Sequence, residues 1–405
     1  MKTYKLAIAI ILLLSACNSI DGDKKNKEIK DGSAIPEGAI PIIYNNYLHV
    51  IVSVDSIQGS FLIDTAADIL LLDSIFVSEN NLIYKNFHYR KIWGIGESYQ
   101  IIPIIKDTVC FNIGNKKFQS SFVPIIEMKP IGGDFVDGLI GTDFFQKKYL
   151  EINYTSNYIN IFNSVDSAYL EEYCGVKMGR IDHFYTIPAI IKVNDSVTIE
   201  GSFALDTGMP LSTITSSFAE KYDLINNINR KVRYYAKYGG VGGETAGYDF
   251  ILDTLEILNL NLVNVNMSFS TDMFGLLAND SYLGILGNNV LDRFDLLFDF
   301  KNDILYYRPN EKFQTSYVFD RLGFSYVDRS KTMGGWAIAG ITESSPAEKN
   351  GLMIDDLIIT VNGIPVEKIP YEYQKEFFKK IDKVELVVRK NDVLKKIEFD
   401  LAPLL

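Results

Sequence analysis

Histidine and cysteine are scarce in this chain of 405 residues, which has three of each. No HExxH pattern and no group of Cys and His with zinc-ligand spacing occurs, so the sequence predicts no metal centre and no cofactor. No GxSxG sequence is present either, which argues against a serine hydrolase. The histidines, His49, His88 and His183, lie in unrelated sequence contexts and are interpreted as structural residues.

Clustered basic residues are also missing, and the net charge of −11 at pH 7 argues against nucleic acid as a partner. One long apolar run occurs, LAIAIILLLSA at 6–16, which follows Lys2 and Lys5 and stops at Cys17. The run is short for a membrane-spanning helix and has the order of a secretory signal.

The end of this run, Leu14-Ser15-Ala16-Cys17, resembles the bacterial lipobox. The resemblance implies that residues 1–16 are a signal peptide and that Cys17 becomes the lipidated first residue. Residues 17–38 are polar and charged and are predicted to be a flexible tether. The expected location is the bacterial cell envelope with a lipid anchor in the membrane, and Asn18 favours the outer membrane.

The rest of the chain is predicted to be mostly β-structure. The composition, 47% hydrophobic and 13% aromatic, suffices for two or three packed domains. Runs rich in Ile, Val, Tyr and Phe alternate with Asn, Asp, Gly and Ser, whereas long helical patterns are few. Examples of predicted strand regions are YLHVIVSV (47–54), KFQSSFVPII (117–126), YLEINY (149–154) and LEILNLNLV (255–263).

One phrase occurs twice: GSFLIDTAAD at 59–68 returns as GSFALDTGMP at 201–210. Each copy is followed by a Gly-rich segment and then by an apolar-apolar-Gly segment with closing strands. These are IWGIGESY (92–99) and DGLIGTDFFQKKYLEINY (137–154) in the first unit, and YGGVGGETAGY (238–248) and LGILGNNVLDRFDLLFDF (283–300) in the second. The shared order indicates two copies of one lobe.

With these motifs, about residues 40 to 310 resemble the aspartic proteases of the pepsin and retropepsin class. The resemblance implies two lobes, lobe 1 (39–165) and lobe 2 (166–314), which bring Asp64 and Asp206 together as a catalytic pair. In each lobe of that family the Asp-Thr loop interlocks with the apolar-apolar-Gly segment. The matching segments here are Leu139-Ile140-Gly141 and Ile285-Leu286-Gly287.

Two close carboxyl groups explain why the chemistry needs two copies. Like charges at roughly 3 Å cannot both ionise, so the pair shares one proton and can act as base and acid in amide hydrolysis. By resemblance, the residues that support the pair are Thr65, Thr207, Ala66 and Gly208, with both threonine hydroxyls tying the lobes together. The flap candidates are Gly94, Gly96 and Gly240, and plain exposed hairpins are the alternative.

Two departures from the family pattern concern the Asp-Thr turns. Ala66 stands where Gly is usual, and its Cβ would cost roughly 1 kcal/mol if the site required positive φ. Met209 and Pro210 replace small or polar residues in the second turn.

Cys110 and Cys174 fall in different repeat units. A disulfide between the units in an oxidising envelope is one interpretation, and two buried thiols is the other and the favoured one.

The C-terminal domain (315–405) has a different pattern. Ser345 with Pro346 predicts a helix start, Gly351 its end, and Asn362-Gly363 a hairpin turn. A further helix is predicted at YEYQKEFFKK (371–380), followed by the strands VELVVRK (384–390) and KKIEFDL (395–401).

The run SSPAEKNGL…DDLIITVNGIPV resembles PDZ domains in their bacterial arrangement. In that family a Gly-Leu-Gly-Phe-like loop binds a peptide carboxylate through backbone N–H groups, and a neighbouring strand accepts the peptide. Leu322, Gly323 and Phe324 match the loop, with Arg321 in place of its first Gly. The domain is expected either to recruit the C-termini of substrates or partners, or to pack on the protease as a structural wing.

The predicted fold class is mostly β: two-lobed pepsin/retropepsin-like acid protease barrels followed by a PDZ domain (α+β). The predicted function is a membrane-anchored aspartic endopeptidase that hydrolyses peptide or protein substrates. The alternative is a catalytically degenerate, peptide-binding envelope lipoprotein, which the departures at Ala66 and Met209 favour and the two retained Asp-Thr pairs oppose.

The lipid anchor leads to a first prediction. Cys17→Ala removes the thiol that would carry the lipid, so an unprocessed precursor should accumulate and incorporate no labelled palmitate. The measurement is palmitate labelling in the native host, with the parent chain as control. Continued labelling of the variant would contradict the lipoprotein assignment.

Overall fold

The computed structural model describes residues 35–96, 99–391 and 393–405. The expected signal peptide, Cys17 and most of the expected tether lie outside the described residues. Within the described ranges, no helix has the length and apolar character needed to cross a membrane.

Lobe 1 is built from short strands with little helix. Its strands are β1 (Ile40–Pro41), β2 (Ile43–Tyr44), β3 (Leu48–Val54), β4 (Ile57–Ile63), β5 (Leu70–Asp73), β6 (Phe87–Trp93), β7 (Tyr99–Ile105), β8 (Val109–Ile113), β9 (Lys116–Ser120), β10 (Val123–Ile126), β11 (Gly138–Ile140), β12 (Tyr149–Asn153) and β13 (Tyr158–Phe162). Its helices are α1 (Ser74–Glu79), α2 (Lys129–Gly132) and a 3₁₀ turn at Thr142–Phe145.

The lobe 1 sheet has the order β6-β7-β10-β5-β11-β4-β3-β8-β9, with β2 beside β3. Alternation in β3 shows why this sequence forms a half-buried strand: Val50, Val52 and Val54 are buried, whereas Ile51 between them is 52% exposed. Strand β11 lies between β4, to which it is parallel, and β5, to which it is antiparallel.

Lobe 2 repeats this arrangement. Its strands are β14 (Cys174–Lys177), β15 (Gly179–Ile181), β16 (Phe184–Lys192), β17 (Thr198–Leu205), β18 (Thr213–Ile214), β19 (Lys231–Gly240), β20 (Gly243–Ile257), β21 (Leu260–Ser270), β22 (Gly284–Leu286), β23 (Phe294–Asp299) and β24 (Ile304–Pro309). Its helices are α3 (Ser167–Leu170), α4 (Ser216–Lys221), α5 (Leu224–Asn227), α6 (Asn288–Leu291) and a 3₁₀ turn at Leu276–Ala278.

Strand β22 lies between β17, to which it is parallel, and β18, to which it is antiparallel. The repeated phrases therefore occupy equivalent places in the two lobes. A separate sheet of order β1-β13-β12-β23-β24-β14 contains strands of both lobes, and β12 pairs with β23 at its centre.

The C-terminal domain is a small β-structure with short helices. Its strands are β25 (Phe324–Arg329), β26 (Gly335–Thr342), β27 (Leu357–Val361), β28 (Ile364–Pro365), β29 (Lys383–Lys390) and β30 (Val393–Asp400). Its helices are α7 (Pro346–Lys349) and α8 (Gln374–Lys379), with 3₁₀ turns at Val366–Lys368 and Tyr371–Tyr373. It has its own apolar core around Trp336 and Phe378.

The local predictions for this domain are confirmed. The Ser345 side chain caps α7 by accepting the N–H of Glu348, and Gly351 follows the helix with φ of +84°. Asn362 and Gly363 both have positive φ between β27 and β28, as a tight hairpin turn requires.

Three other predictions are wrong. LEILNLNLV is not one strand, because Leu258 and Asn259 form the turn between β20 and β21 with φ of +53° and +55°. KFQSSFVPII is not one strand either, because it is divided at 121–122 into β9, which pairs with β8, and β10, which pairs with β5 and β7. Cys110 is exposed rather than buried, since its side chain lies on the outer face of β8, while Cys174 is partly buried.

The C-terminal domain continues the sheet of lobe 2. Strand β26 pairs with β19 through Tyr234 with Thr342, Tyr235 with Ile341, and neighbouring residues. One sheet of 14 strands thus runs from lobe 2 into the C-terminal domain.

This shared sheet leads to a prediction about unfolding. Because the edge of β19 is covered by β26, the chain from residue 35 onward should unfold in one cooperative transition. A chain ending at residue 314 should melt at least about 5 °C lower, since it loses backbone hydrogen bonds and buried contacts worth a few kcal/mol. Calorimetry checks both expectations. Two separate transitions, one of them reproduced by residues 315–405 alone, would contradict the prediction.

Candidate active site

Both repeated phrases place an aspartate directly after a buried strand. Asp64 follows β4 and Asp206 follows β17. The N–H of Asp64 donates to the carbonyl of Ile140, and the N–H of Asp206 donates to that of Leu286, each at 3.0 Å. The apolar-apolar-Gly segment of each lobe therefore holds the backbone of that lobe's Asp-Thr turn.

The two turns are joined by the hydroxyl groups of Thr65 and Thr207, which are both buried. The Thr65 hydroxyl donates to the carbonyl of Leu205 at 2.8 Å and accepts the N–H of Thr207 at 3.1 Å. The Thr207 hydroxyl donates to the carbonyl of Ile63 at 2.7 Å and accepts the N–H of Thr65 at 3.1 Å. Every hydroxyl and N–H in this network has a partner in the other lobe, so the turns form one unit.

The carboxyl groups of Asp64 and Asp206 lie at the centre of this unit, close enough for each to shift the pKa of the other. Asp64 also accepts the N–H groups of Ala66 at 2.8 Å and Ala67 at 3.0 Å, and Asp206 accepts that of Gly208 at 2.7 Å. Burial raises the pKa of both carboxyls, and the charge of Asp64 raises the pKa of Asp206 further. The pair therefore retains one proton more readily than two exposed carboxylates would.

Ala66 and Gly208 occupy equivalent positions but meet different surroundings. Neither has positive φ, so Ala66 does not carry the backbone strain considered for it. A Cβ on Gly208 would lie 2.5 Å from Oδ2 of Asp64. Ala66 instead packs, as does Met209, against an apolar cluster that contains Phe184 and Tyr282.

The predicted flap glycines lie where two hairpins meet. Gly94 and Gly96 follow β6, and Gly240 ends β19. The N–H of Gly242 donates to the carbonyl of Ile95 at 2.9 Å, so the two hairpin tips are in direct contact. The Ile95 side chain packs against the same apolar cluster as Ala66 and Met209, so this segment lies beside the Asp-Thr turns. Gly94 and Gly96 are buried, so the alternative of plain exposed hairpins does not describe them.

Two residues near the carboxyl pair were not singled out from the sequence. Burial, together with the charge of Asp206, raises the pKa of Tyr47 to about 12. His183 lies near enough to Asp64 for its charge to lower the pKa of that carboxyl, against the larger effect of burial. Each residue lies in a hairpin turn two strands before its own lobe's aspartate and interacts electrostatically with the aspartate of the other lobe. Because the strands follow the same order in both lobes, a comparison of the equivalent turns could have identified the two residues.

Asn288 also supports the second turn. Its Nδ2 donates to the carbonyls of Thr207 and Asn46, both at 2.7 Å, and its Oδ1 accepts the hydroxyl of Tyr154 at 2.8 Å. Asn288 is fully buried and directly follows the Ile285-Leu286-Gly287 segment, so its position in the repeat was the available signal.

The predicted carboxylate loop lies apart from this site, at the start of β25. The N–H groups of Leu322 and Gly323 donate to the side chain of Asp320, and Phe324 is buried. Gly323 has φ of +72°, and a Cβ there would lie 2.4 Å from Cβ of Ser345.

No group of three or more His, Cys, Asp or Glu in the described ranges could hold a metal ion. The carboxyl pair itself offers only two such side chains.

Comparisons with known proteins agree with the two kinds of domain. Residues 189–290 match the family model described as aspartyl protease, and residues 317–389 match that of the PDZ domain. No match is found among curated proteins. Among solved structures, the chain matches the aspartic proteinase from Irpex lacteus with 15% sequence identity and a TM-score of 0.41, over 69% of this chain and 98% of that one.

The chain thus contains an aspartyl protease-like domain and a PDZ domain, and the predicted mostly β fold class is confirmed.

The contrast between Gly208 and Ala66 leads to a prediction. Gly208→Ala pushes a methyl group into the Asp64 carboxyl, which two N–H groups hold in place, so the free energy of unfolding should fall by about 1–3 kcal/mol. Ala66→Gly is the matched control and should cost no more than about 1 kcal/mol, through backbone entropy alone. Denaturant unfolding of both variants is the measurement. Equal stability of Gly208→Ala and the parent chain would contradict the packing described for this turn.

Proposed function

We propose that this protein is an aspartic endopeptidase in which Asp64 and Asp206 are the catalytic dyad. The observation that carries the proposal is the close approach of buried Asp206 and partly buried Asp64 at the junction of two duplicated Asp-Thr turns. The matches to the aspartyl protease and PDZ families support the broader assignment as a peptidase, without identifying its catalytic residues.

The chemistry follows from the shared proton. The ionised carboxyl takes a proton from a water molecule, which attacks the peptide carbonyl, while the protonated carboxyl donates to the carbonyl oxygen. The titration belongs to the pair, so the two roles are assigned to the dyad as a whole. The N–H groups of Ala66, Ala67 and Gly208 fix the orientation of both carboxyls.

The departures from the family pattern leave this arrangement intact. Ala66 still donates its N–H to Asp64 and has no strained φ. Met209 joins the apolar cluster beside the turns, and its N–H reaches the carbonyl of Asp206 at 3.4 Å. These contacts support catalysis over the peptide-binding alternative.

We propose that peptide entry separates the two hairpin tips. Ile95 packs beside the turns and accepts the N–H of Gly242, so entry would lift the segment at Gly94–Gly96 away from the tip of the second hairpin. Glycines at both tips allow the close approach, since a Cβ on Gly96 would lie 2.4 Å from the carbonyl carbon of Gly242.

The cellular setting is also a proposal. The lipobox-like sequence at Cys17 and the polar segment after it support a peptidase held by a lipid anchor at the bacterial envelope, with the outer membrane as the expected site. Peptides or proteins at that surface are its proposed substrates. The PDZ match suggests a peptide or protein ligand for the C-terminal domain as well.

The dyad is tested with Asp64→Asn, Asp206→Asn and the double variant. Asparagine keeps the shape but removes the shared proton, so each single variant should lose cleavage of a mixed peptide library, and the double variant should be scarcely worse. Cleavage by the parent chain should be inhibited by pepstatin.

Folding provides the control for this experiment. The folded-state pKa of Asp206 is raised, so its effect on stability is most favourable below the unfolded pKa and is lost as pH rises. Asp206→Asn should therefore be at least as stable as the parent chain at neutral pH. A parent chain that cleaves while one Asn variant keeps comparable turnover would falsify the dyad. A folded parent chain that binds peptides without cleaving them would instead support the degenerate alternative.

A further inference from the structure

The proposed catalysis assigns no role to the peptide groove of the C-terminal domain. In PDZ domains a ligand adds as a strand beside one strand and along a helix, and its carboxylate binds N–H groups of the preceding loop. The corresponding parts here are β25, α8 with the 3₁₀ turn at Tyr371–Tyr373, and the loop Leu322–Phe324.

The carboxylate end of the groove already holds a carboxylate. Oδ1 of Asp320 accepts the N–H of Leu322 at 2.8 Å, and Oδ2 accepts the N–H of Gly323 at 3.2 Å. A peptide carboxylate would compete with the Asp320 side chain for the N–H groups of Leu322 and Gly323. It would also be repelled by the negative charge of Asp320.

Lobe 1 contacts the strand side of the groove at Asp328, near the C-terminal end of β25. The N–H of Asp134 donates to the carbonyl of Asp328 in β25 at 2.7 Å. Gly133 permits this approach, because its φ is +83° and a Cβ there would lie 2.8 Å from the same carbonyl oxygen. A backbone segment of lobe 1 therefore bonds to β25, the strand that a ligand would pair with.

The Asp134 side chain extends this contact. Its carboxylate is 1% exposed and accepts the N–H groups of Lys331 at 2.9 Å and Thr332 at 2.8 Å, which belong to the turn after β25. It also accepts hydrogen bonds from the Thr332 hydroxyl at 2.7 Å and from Nε–H of Arg329 at 3.1 Å. Satisfied charge-assisted hydrogen bonds of this kind are costly to break.

The helix side of the groove closes on the same segment. The ring of Phe135 stacks on Tyr371 with centroids 4.7 Å apart, and the Lys331 ammonium lies 4.3 Å from the Phe135 centroid. Gln374 of α8 donates to the side chain of Asp328, which links the helix directly to the strand.

We propose that the groove of the C-terminal domain is an internal docking surface whose ligand is the lobe 1 segment Gly133–Phe135, and that the intact protein binds no free peptide C-terminus there. This inference does not depend on the proposed catalysis, because its readouts are binding and hydrogen exchange.

The lobe 1 segment is held in the shape that the groove binds. Nζ of Lys129 donates to the carbonyls of Asp134 at 3.3 Å and Val136 at 3.0 Å, and to Oδ1 of Asp137 at 2.7 Å. A ligand ordered in advance and tethered in the same chain has an effective concentration that a free peptide does not reach, typically in the mM range.

The first test measures peptide binding to the chain from residue 35 to 405, which forms one compact unit. The protein carries Asp64→Asn so that peptides stay intact. The probes are fluorescent decapeptides of mixed sequence ending in a free carboxylate, with the same peptides ending in an amide for comparison, and anisotropy is the readout. The parent chain should show no binding that depends on the carboxylate. The double variant Asp134→Ala, Asp320→Ala should bind the carboxylate peptides at least about tenfold more tightly. The reason is that a larger fraction of the molecules then has a groove free of the lobe 1 segment.

The second test measures hydrogen exchange of the Lys331 and Thr332 amides. Asp134→Ala should speed their exchange at least about tenfold, because it removes their acceptor. Glu398→Ala is the matched control, since Glu398 is an exposed carboxylate on β30 paired with Lys383, and it should leave both rates unchanged. If the double variant does not fold, Phe135→Ala replaces it, because this change removes only the ring between Tyr371 and Lys331.

Carboxylate-dependent binding to the parent chain would overturn the proposal. So would unchanged exchange of Lys331 and Thr332 in Asp134→Ala, or the absence of any gain in peptide affinity in the folded variant tested.

Discussion

The hydrogen bonds between Thr65 and Thr207 are the interaction on which the rest of the structure depends. Two neighbouring carboxyls lose hydration, which raises the pKa of both, and the charge of Asp64 raises the pKa of Asp206 further. An arrangement with that cost persists only if the surrounding backbone cannot relax. The threonine hydroxyls prevent relaxation, because each one donates to and accepts from the backbone of the other lobe in a buried site. The Asp-Thr turns therefore stay together although their charges oppose it.

The lobes are duplicated in topology but not in surroundings. At the position after Asp-Thr, lobe 1 accepts the methyl group of Ala66, whereas lobe 2 has space only for Gly208. The Gly-rich hairpins differ as well, because β19 in lobe 2 is paired to β26 and the hairpin of lobe 1 forms one edge of its sheet. The second hairpin is thus anchored at the middle of β19, and the N–H of Gly242 at its tip donates to the carbonyl of Ile95 in the first. We infer that the lobe 1 hairpin is the one that moves.

The C-terminal domain contacts both lobes. It extends the lobe 2 sheet through β26, and its groove binds the lobe 1 segment Gly133–Phe135. Near the carboxyl pair, Lys375 of α8 donates to the side chain of Asn46, whose carbonyl accepts Asn288 beside Thr207. These contacts favour the structural interpretation of the domain over a separate recruiting module, because a module that only recruits needs no buried bonds to the two lobes.

Features that depend on neighbouring residues in the chain could be predicted from the sequence. These include the duplicated Asp-Thr phrases, the mostly β fold class, the cap of α7 at Ser345 and the turn at Asn362-Gly363, since strand alternation, caps and turns are local. The turn at Leu258-Asn259 was missed because Leu258 is an unusual residue at positive φ, although Asn259 is a common one. The φ of Ala66, the approach of Tyr47 and His183 to the aspartates, the exposure of Cys110 and the filled groove were decided only by the tertiary structure. Each of them depends on residues far apart in the chain, whose packing no local pattern encodes.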